Sequence, residues 1–289
     1  GLVGSEMCIR DRINILRGYA MGISDLIPGV SGGTIALLLG IYDDFIQAIS
    51  GLFSKHFKKN FLFLLPIGIG IILAIGTLSK LISYLLEYHV IPTQFFFLGL
   101  IAGIIPFLLR LSKPKENFKL IHYIVIIIGV LLLLWMSLNQ MEKTDVSSVE
   151  LTTPMLIQLY FAGILASSAM LLPGISGSFV LLLLGFYGIV IYSVSEVISF
   201  NFDLLPVIIA VGLGVMSGFI VSSKLINYML THFTYLTYSL IIGLVIGSLF
   251  NVFPGLPSSI IVWIITVFTF TIGFLVSYTL GNKTLDEMT

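Results

Sequence analysis

The stretch Ser24-Asp25-Leu26-Ile27-Pro28-Gly29-Val30-Ser31-Gly32-Gly33-Thr34 interrupts an otherwise apolar run, and its core recurs as Leu172-Pro173-Gly174-Ile175-Ser176-Gly177-Ser178. Pro28 lacks an N–H and disfavours helix at Ile27. Gly29, Gly32 and Gly33 permit backbone shapes that other residues resist. Ser31 and Thr34 are good caps for a helix that begins there. The spacing predicts a helix, a break, and a second helix.

The similarity extends outward from the two motifs. Leu-Leu-Gly-Ile-Tyr ending at Tyr42 matches Leu-Leu-Gly-Phe-Tyr ending at Tyr187, both copies lying 145 positions apart. Lys80-Leu81-Ile82-Ser83-Tyr84 matches Lys224-Leu225-Ile226-Asn227-Tyr228 at an offset of 144, and Gly99 and Gly103 fall on Gly243 and Gly247. So steady an offset marks a duplication. The halves are read as 13–145 and 146–289. Residues 1–12 (GLVGSEMCIRDR) differ in character from the rest of the chain and are expected to be a non-native tail, outside fold reasoning.

Composition sets the class. The 289 residues are 57% hydrophobic and 10% charged, with mean hydropathy +1.11. A soluble domain carries about 25% charged residues, so this chain lacks the polar surface to cover itself in water. Its formal net charge of zero gives no bulk attraction to nucleic acid. A bilayer core of about 30 Å takes about 20 helical residues. Apolar segments fall near 13–27, 31–50, 61–87, 94–109, 120–138, 155–172, 176–197, 204–230, 236–250 and 259–280. No dyad alternation suggests a barrel, which leaves helices.

Loop charges orient the halves. Lys55, Lys58 and Lys59 lie in 51–60, and Arg110, Lys113, Lys115 and Lys119 in 110–119, whereas 139–154 carries Glu142, Asp145 and Glu150 against one Lys. The positive-inside rule places the first two loops and both termini in the cytoplasm. Each half then crosses an odd number of times, and the second is inverted. The expected fold class is an all-α polytopic membrane protein, an inverted-topology repeat with two re-entrant helix hairpins. The arm at 13–27 is about 22 Å long at 1.5 Å per residue and carries Arg17 and Asp25. It is too short and too charged for a comfortable span, so 13–50 reads as a hairpin with its tip in the membrane. The hairpin at 155–197 is its counterpart, although its first arm is long enough to span. Three transmembrane helices follow each hairpin.

Broken helices at membrane depth occur where protein or water covers them. A tip of Ser, Gly and unpaired N–H groups at a helix N-terminus favours an anion. In an inverted repeat, two such tips meet from opposite sides. They can receive a phosphate without a fixed cation, which at the midplane costs about 2.5–3.5 kcal/mol on insertion scales. The candidate phosphate contacts are Ser31, Gly32, Gly33, Thr34, Ser176, Gly177 and Ser178, with Pro28, Gly29, Pro173 and Gly174 as the helix breaks. A tight kink between packed helices is the plainer reading of one copy; two copies at matching positions favour a site.

Four further residues are candidates for coupling or headgroup contact. Asp25 has no partner in the second half, where Met170 stands; it reads either as a proton carrier or clamp, or as a capping residue at an interface. Arg17 and the paired Lys80 and Lys224 read as headgroup contacts or as snorkelling side chains. His56, His89, His122 and His232 are scattered and form no metal pattern. Neither a phosphate-binding Gly-Lys-Ser/Thr loop nor a nucleophile elbow occurs. No enzyme activity, cofactor or metal is expected.

The residues Met21-Gly22-Ile23-Ser24-Asp25-Leu26-Ile27-Pro28-Gly29-Val30-Ser31-Gly32-Gly33-Thr34 and Gly40-Ile41-Tyr42, with the second motif and Gly185-Phe186-Tyr187, resemble the PopT polyprenyl-phosphate transporter family. The resemblance covers the chain from Ile13. It implies a plasma-membrane flippase that returns undecaprenyl phosphate, a polyprenyl-phosphate lipid carrier, from the outer to the cytoplasmic leaflet for cell-envelope polymer synthesis. The functional positions it implies are the two motifs and the polar residues around them. An anion channel or small-anion exchanger is the alternative, because helix N-termini also hold halides; a lipid phosphatase is a third. Sequence leaves the driving force, the precise lipid and the oligomeric state open, with proton coupling through Asp25 as one hypothesis.

Overall fold

The computed structural model describes residues 2–27, 30–52, 54–139 and 152–288. Residues 2–12 of the expected tail are part of the first helix, although the side chains up to position 11 lie outside the described residues. So do Pro28 and Gly29 of the first break, and Glu142, Asp145 and Glu150 of the acidic loop. The described residues form helices joined by short loops, with no strand among them. In chain order the helices are α1 (Leu2–Asp25), α2 (Gly32–Leu38), α3 (Tyr42–Ser50), α4 (Phe57–Tyr88), α5 (Val90–Ser112), α6 (Pro114–Asn117), α7 (Leu120–Leu138), α8 (Thr153–Leu171), α9 (Gly177–Leu183), α10 (Tyr187–Ile198), α11 (Leu205–His232), α12 (Thr234–Val252) and α13 (Ile260–Met288).

Among the described residues seven helices are long and apolar enough to cross a membrane: α4, α5, α7, α8, α11, α12 and α13. The protein is a polytopic membrane protein. The most hydrophobic stretch of α5, like that of α12, is 56% buried, against 17% for α7 and for α13, so α5 and α12 form the centre and α7 and α13 the flanks. The flanking helices turn residues such as Ile127, Leu131, Ile264 and Phe268 outward, where only lipid can cover them.

The duplication is visible in the contacts. In α1 against α4, a side chain at Gly18 would strike the Ile67 carbonyl and one at Gly70 the Ile15 carbonyl. In α8 against α11, Gly163 stands in the same relation to Val211 and Gly214 to Tyr160. Missing side chains let these helix pairs approach to backbone contact, the main source of helix association where water provides no drive. The third long helix of each half then crosses over. α13 packs on α5 through Gly273 and Gly99, and α7 packs on α12 through Gly129 and Gly243. Neither half is closed on its own.

One difference from the sequence reading lies in the second arm of each motif. The apolar runs 31–50 and 176–197 are each two helices, not one. Gly40 and Gly185 take positive φ, 68° and 76°, and end α2 and α9. The following N–H reaches back five residues, from Ile41 to Ala36 at 3.0 Å and from Phe186 to Leu181 at 2.9 Å. This left-handed closure satisfies the last carbonyls and turns the chain sharply. The α9 and α10 axes meet at 114°, the geometry of a re-entrant loop or a broken span.

Candidate functional site

The first motif closes on itself. Helix α1 loosens past Asp25, with Ile27 N–H bonded to the Ser24 carbonyl at 3.1 Å, and the chain is again described from Val30. Ser31 is extended (φ −118°, ψ 135°) and caps α2, its Oγ accepting the Gly33 N–H at 3.1 Å. The Asp25 carboxylate reaches across the break and accepts the Gly32 N–H at 2.7 Å. A methyl group at Gly32 would lie 2.8 and 2.9 Å from the two carboxyl oxygens, so the absent side chain is what admits the acid. Ser31 and Thr34 are buried, each 1% exposed.

The second motif differs in its chemistry. Gly174 turns the chain at φ 92°, and a side chain there would strike the Leu244 backbone of α12. Ser176 is extended like Ser31, but its hydroxyl does not cap α9; it pairs with the Ser178 hydroxyl at 2.7 Å. Ser176 is buried and Ser178 exposed. Met170 stands where the first half has Asp25, and Phe179 where it has Thr34.

The motifs are in direct contact. The buried Gly174 N–H donates to Thr34 Oγ1 at 2.9 Å. Tyr42, from the first half's Gly-Ile-Tyr, donates its hydroxyl to the Leu171 carbonyl at 3.0 Å, one of the carbonyls that the end of α8 leaves without a helical partner. Gly33 faces the Met170 and Leu171 carbonyls, which stand 3.4 Å from the place its side chain would occupy.

A cavity of about 290 Å³ opens beside this junction. Asp25, Gly32 and Gly33 form one end of it, and the remaining wall is apolar, including Phe45, Ile49, Leu64, Ile67 and Phe219. Asp25 is the one ionisable group among the described lining residues. Of the expected contacts, Gly32 and Gly33 line the cavity, whereas Ser31, Thr34, Ser176, Gly177 and Ser178 are not among its lining residues. Arg17 is not on the wall; it donates to Asn14 Oδ1 at 3.0 Å within α1. Lys80 and Lys224 are exposed on α4 and α11, away from the cavity. Among the described residues no group of His, Cys, Asp or Glu is placed to hold a metal ion.

Sequence reading missed several residues that build this region. Tyr42 was legible only as part of the repeat, not as the hydroxyl that ties the halves together. Phe219 and Ile49 carry no motif at all, since apolar residues on an apolar helix give no signal. A second, more polar cavity of about 210 Å³ lies under the Gly40 turn, lined by Tyr42, Asp43, Asp44 and Tyr238; the adjacent acids at the start of α3 were the overlooked sign.

The polar part of the cavity consists of the Asp25 carboxylate and the Gly32 and Gly33 N–H groups, both N–H groups being bonded within the first motif. Residues 21–269 match the model of the family described as VCA0040-like, undecaprenyl phosphate translocase-like. A polyprenyl-phosphate transporter of Staphylococcus aureus is 55% identical over 276 residues, which cover 95% of this chain and 98% of that one. A polyprenyl-phosphate transporter of Vibrio cholerae is 34% identical over 255 residues, 83% of this chain and 76% of that one. No solved structure matches the chain. With most of its length matched by the family model and by both relatives, the chain belongs to the undecaprenyl phosphate translocase-like family.

Proposed function

We propose that this protein carries a polyprenyl phosphate, undecaprenyl phosphate, from the outer to the cytoplasmic leaflet of the plasma membrane, returning the carrier for envelope polymer synthesis. The observation that carries this reading is the bond from Gly174 N–H to Thr34 Oγ1, which joins the two motifs beside a cavity with one polar end. The names of the two relatives support the substrate. The apolar wall favours a lipid over a small ion, because a halide gains nothing from such a surface.

The phosphate is taken by the hydroxyls and N–H groups of both motifs: Ser31, Gly32, Gly33 and Thr34 from the first, Ser176, Gly177 and Ser178 from the second. In the structure Asp25 already holds the Gly32 N–H. A carboxylate and a phosphate on one donor repel, so Asp25 either takes a proton or swings aside as the headgroup arrives. Either event links headgroup binding to the state of the acid, and the first makes transport proton-coupled. Halves inserted in opposite senses, with the Lys- and Arg-bearing loops and both termini in the cytoplasm, then expose the junction to each leaflet in turn. No bond in the substrate is made or broken.

The test is reconstitution. Purified protein in liposomes is expected to make outer-leaflet undecaprenyl phosphate inaccessible to an external probe. Anion flux without any change in lipid accessibility would instead identify a channel or exchanger.

A further inference from the structure

The cavity beside the first motif is polar at one end only. Asp25, Gly32 and Gly33 form that end, while α1, α3, α4, α8 and α11 supply the rest through residues such as Met21, Ile49, Leu64, Ile71, Met170 and Phe219. At about 290 Å³ it is at the small end of the roughly 300–1,000 Å³ typical of ligand pockets. It therefore has room for a short length of a long lipid, next to the head. Gly68 lies on this wall, and a side chain built there would meet nothing within 4 Å. Its counterpart Gly212, 144 positions on, also has open space around it, but it is exposed on α11 and does not line the cavity. The same empty position thus serves a cavity in one half and faces outward in the other.

We propose that this cavity is the subsite for the head-proximal isoprenyl units of the substrate, and that the missing side chain at Gly68 sets its width. This rests on the lipid-phosphate reading above. Isoprenyl units carry regularly spaced methyl branches, which a straight acyl chain lacks. A branched chain needs lateral room, and the open space left by the missing side chain at Gly68 provides it. The subsite therefore selects a prenyl chain over the acyl chains of the surrounding phospholipid. It works on the carbons next to the phosphate, independent of total chain length.

The experiment compares wild type, Gly68→Phe and Gly212→Phe in liposomes containing undecaprenyl phosphate. It is paired with photocrosslinking by a prenyl phosphate carrying a diazirine on its first isoprenyl unit. The expected result is that Gly68→Phe lowers flux by about tenfold or more, because the ring fills the space the prenyl chain needs, while Gly212→Phe stays within about twofold of wild type. Crosslinks are expected on α3 and α4 near Ile49, Leu64 and Ile71. Excess unlabelled prenyl phosphate should suppress them and phosphatidylglycerol should not. Should Gly68→Phe fail to fold, the wild-type crosslinks decide alone. Undiminished flux through Gly68→Phe, crosslinks confined to helices that do not line the cavity, or equal suppression by phosphatidylglycerol overturns the subsite while leaving the transport reading intact. Wild-type protein that neither moves nor crosslinks the prenyl phosphate overturns both.

Discussion

Thr34 Oγ1 and the Gly174 N–H, 140 positions apart in sequence, share a hydrogen bond of 2.9 Å in a site that water does not reach. It is a direct polar link between the two motifs. Replacing Thr34 with Val keeps the shape and removes the acceptor. A buried N–H left without a partner costs about 1–3 kcal/mol. Thr34→Val is therefore expected to lower the thermal midpoint of the detergent-solubilised protein, and Thr34→Ser to restore most of it. Equal midpoints for wild type and Thr34→Val would show that the junction is held elsewhere.

The Asp25 carboxylate holds the Gly32 N–H at the first tip. Asp25→Asn keeps an oxygen for the Gly32 N–H but can neither bear the charge nor take up the proton. In liposomes with an imposed pH gradient, wild-type flux is expected to follow the gradient and Asp25→Asn flux to be indifferent to it. Identical gradient dependence in the two proteins would remove Asp25 from the coupling.

Gly32→Ala puts a methyl group against the Asp25 carboxyl oxygens, 2.8 and 2.9 Å away. Contacts that close force the acid off the N–H. The substitution is expected to destabilise by about 1–3 kcal/mol. Combining it with Asp25→Ala should cost less than the sum of the two single changes, since neighbours that clash do not act independently. Strict additivity in a double-mutant cycle would separate the two residues.

The tyrosines of the repeat test the asymmetry of the halves. Tyr42 is buried with its hydroxyl on the Leu171 carbonyl, whereas Tyr187 is 38% exposed. Tyr42→Phe is expected to cost about 0.5–1.5 kcal/mol, and Tyr187→Phe less than about 0.5 kcal/mol. Equal losses would mean that the symmetry is intact at this position.

Most of the architecture was legible because membrane helices announce themselves by length: the expected 120–138 coincides with α7, and most other long helices differ by a few residues at their ends, although α13 runs on to Met288 beyond the expected 280 and α1 begins at Leu2, well before the expected 13. The breaks at Gly40 and Gly185 were not. Gly-x-Tyr was visible as a repeated pattern, but a single Gly in an apolar run is compatible with close packing as well as with a left-handed turn, and only the backbone decides. The same limit applies at the site. Polar residues in an apolar chain stand out, so Asp25, Ser31 and Thr34 could be nominated from sequence. Their partners could not, because the Gly32 N–H and the Leu171 carbonyl are backbone groups that every residue carries. The crossing of α7 and α13 between halves was hidden for a related reason: Gly129 and Gly273 are small residues whose partners lie more than a hundred positions away or in the opposite half.

The central claim is that both motifs build one headgroup site, and the most direct measurement is flux of undecaprenyl phosphate in liposomes for wild type, Ser31→Leu, Ser176→Leu and the double variant. A shared site requires that either single substitution reduce flux nearly as far as the two together, leaving more carrier phosphate accessible on the outer leaflet. Unchanged accessibility in both single variants would contradict it.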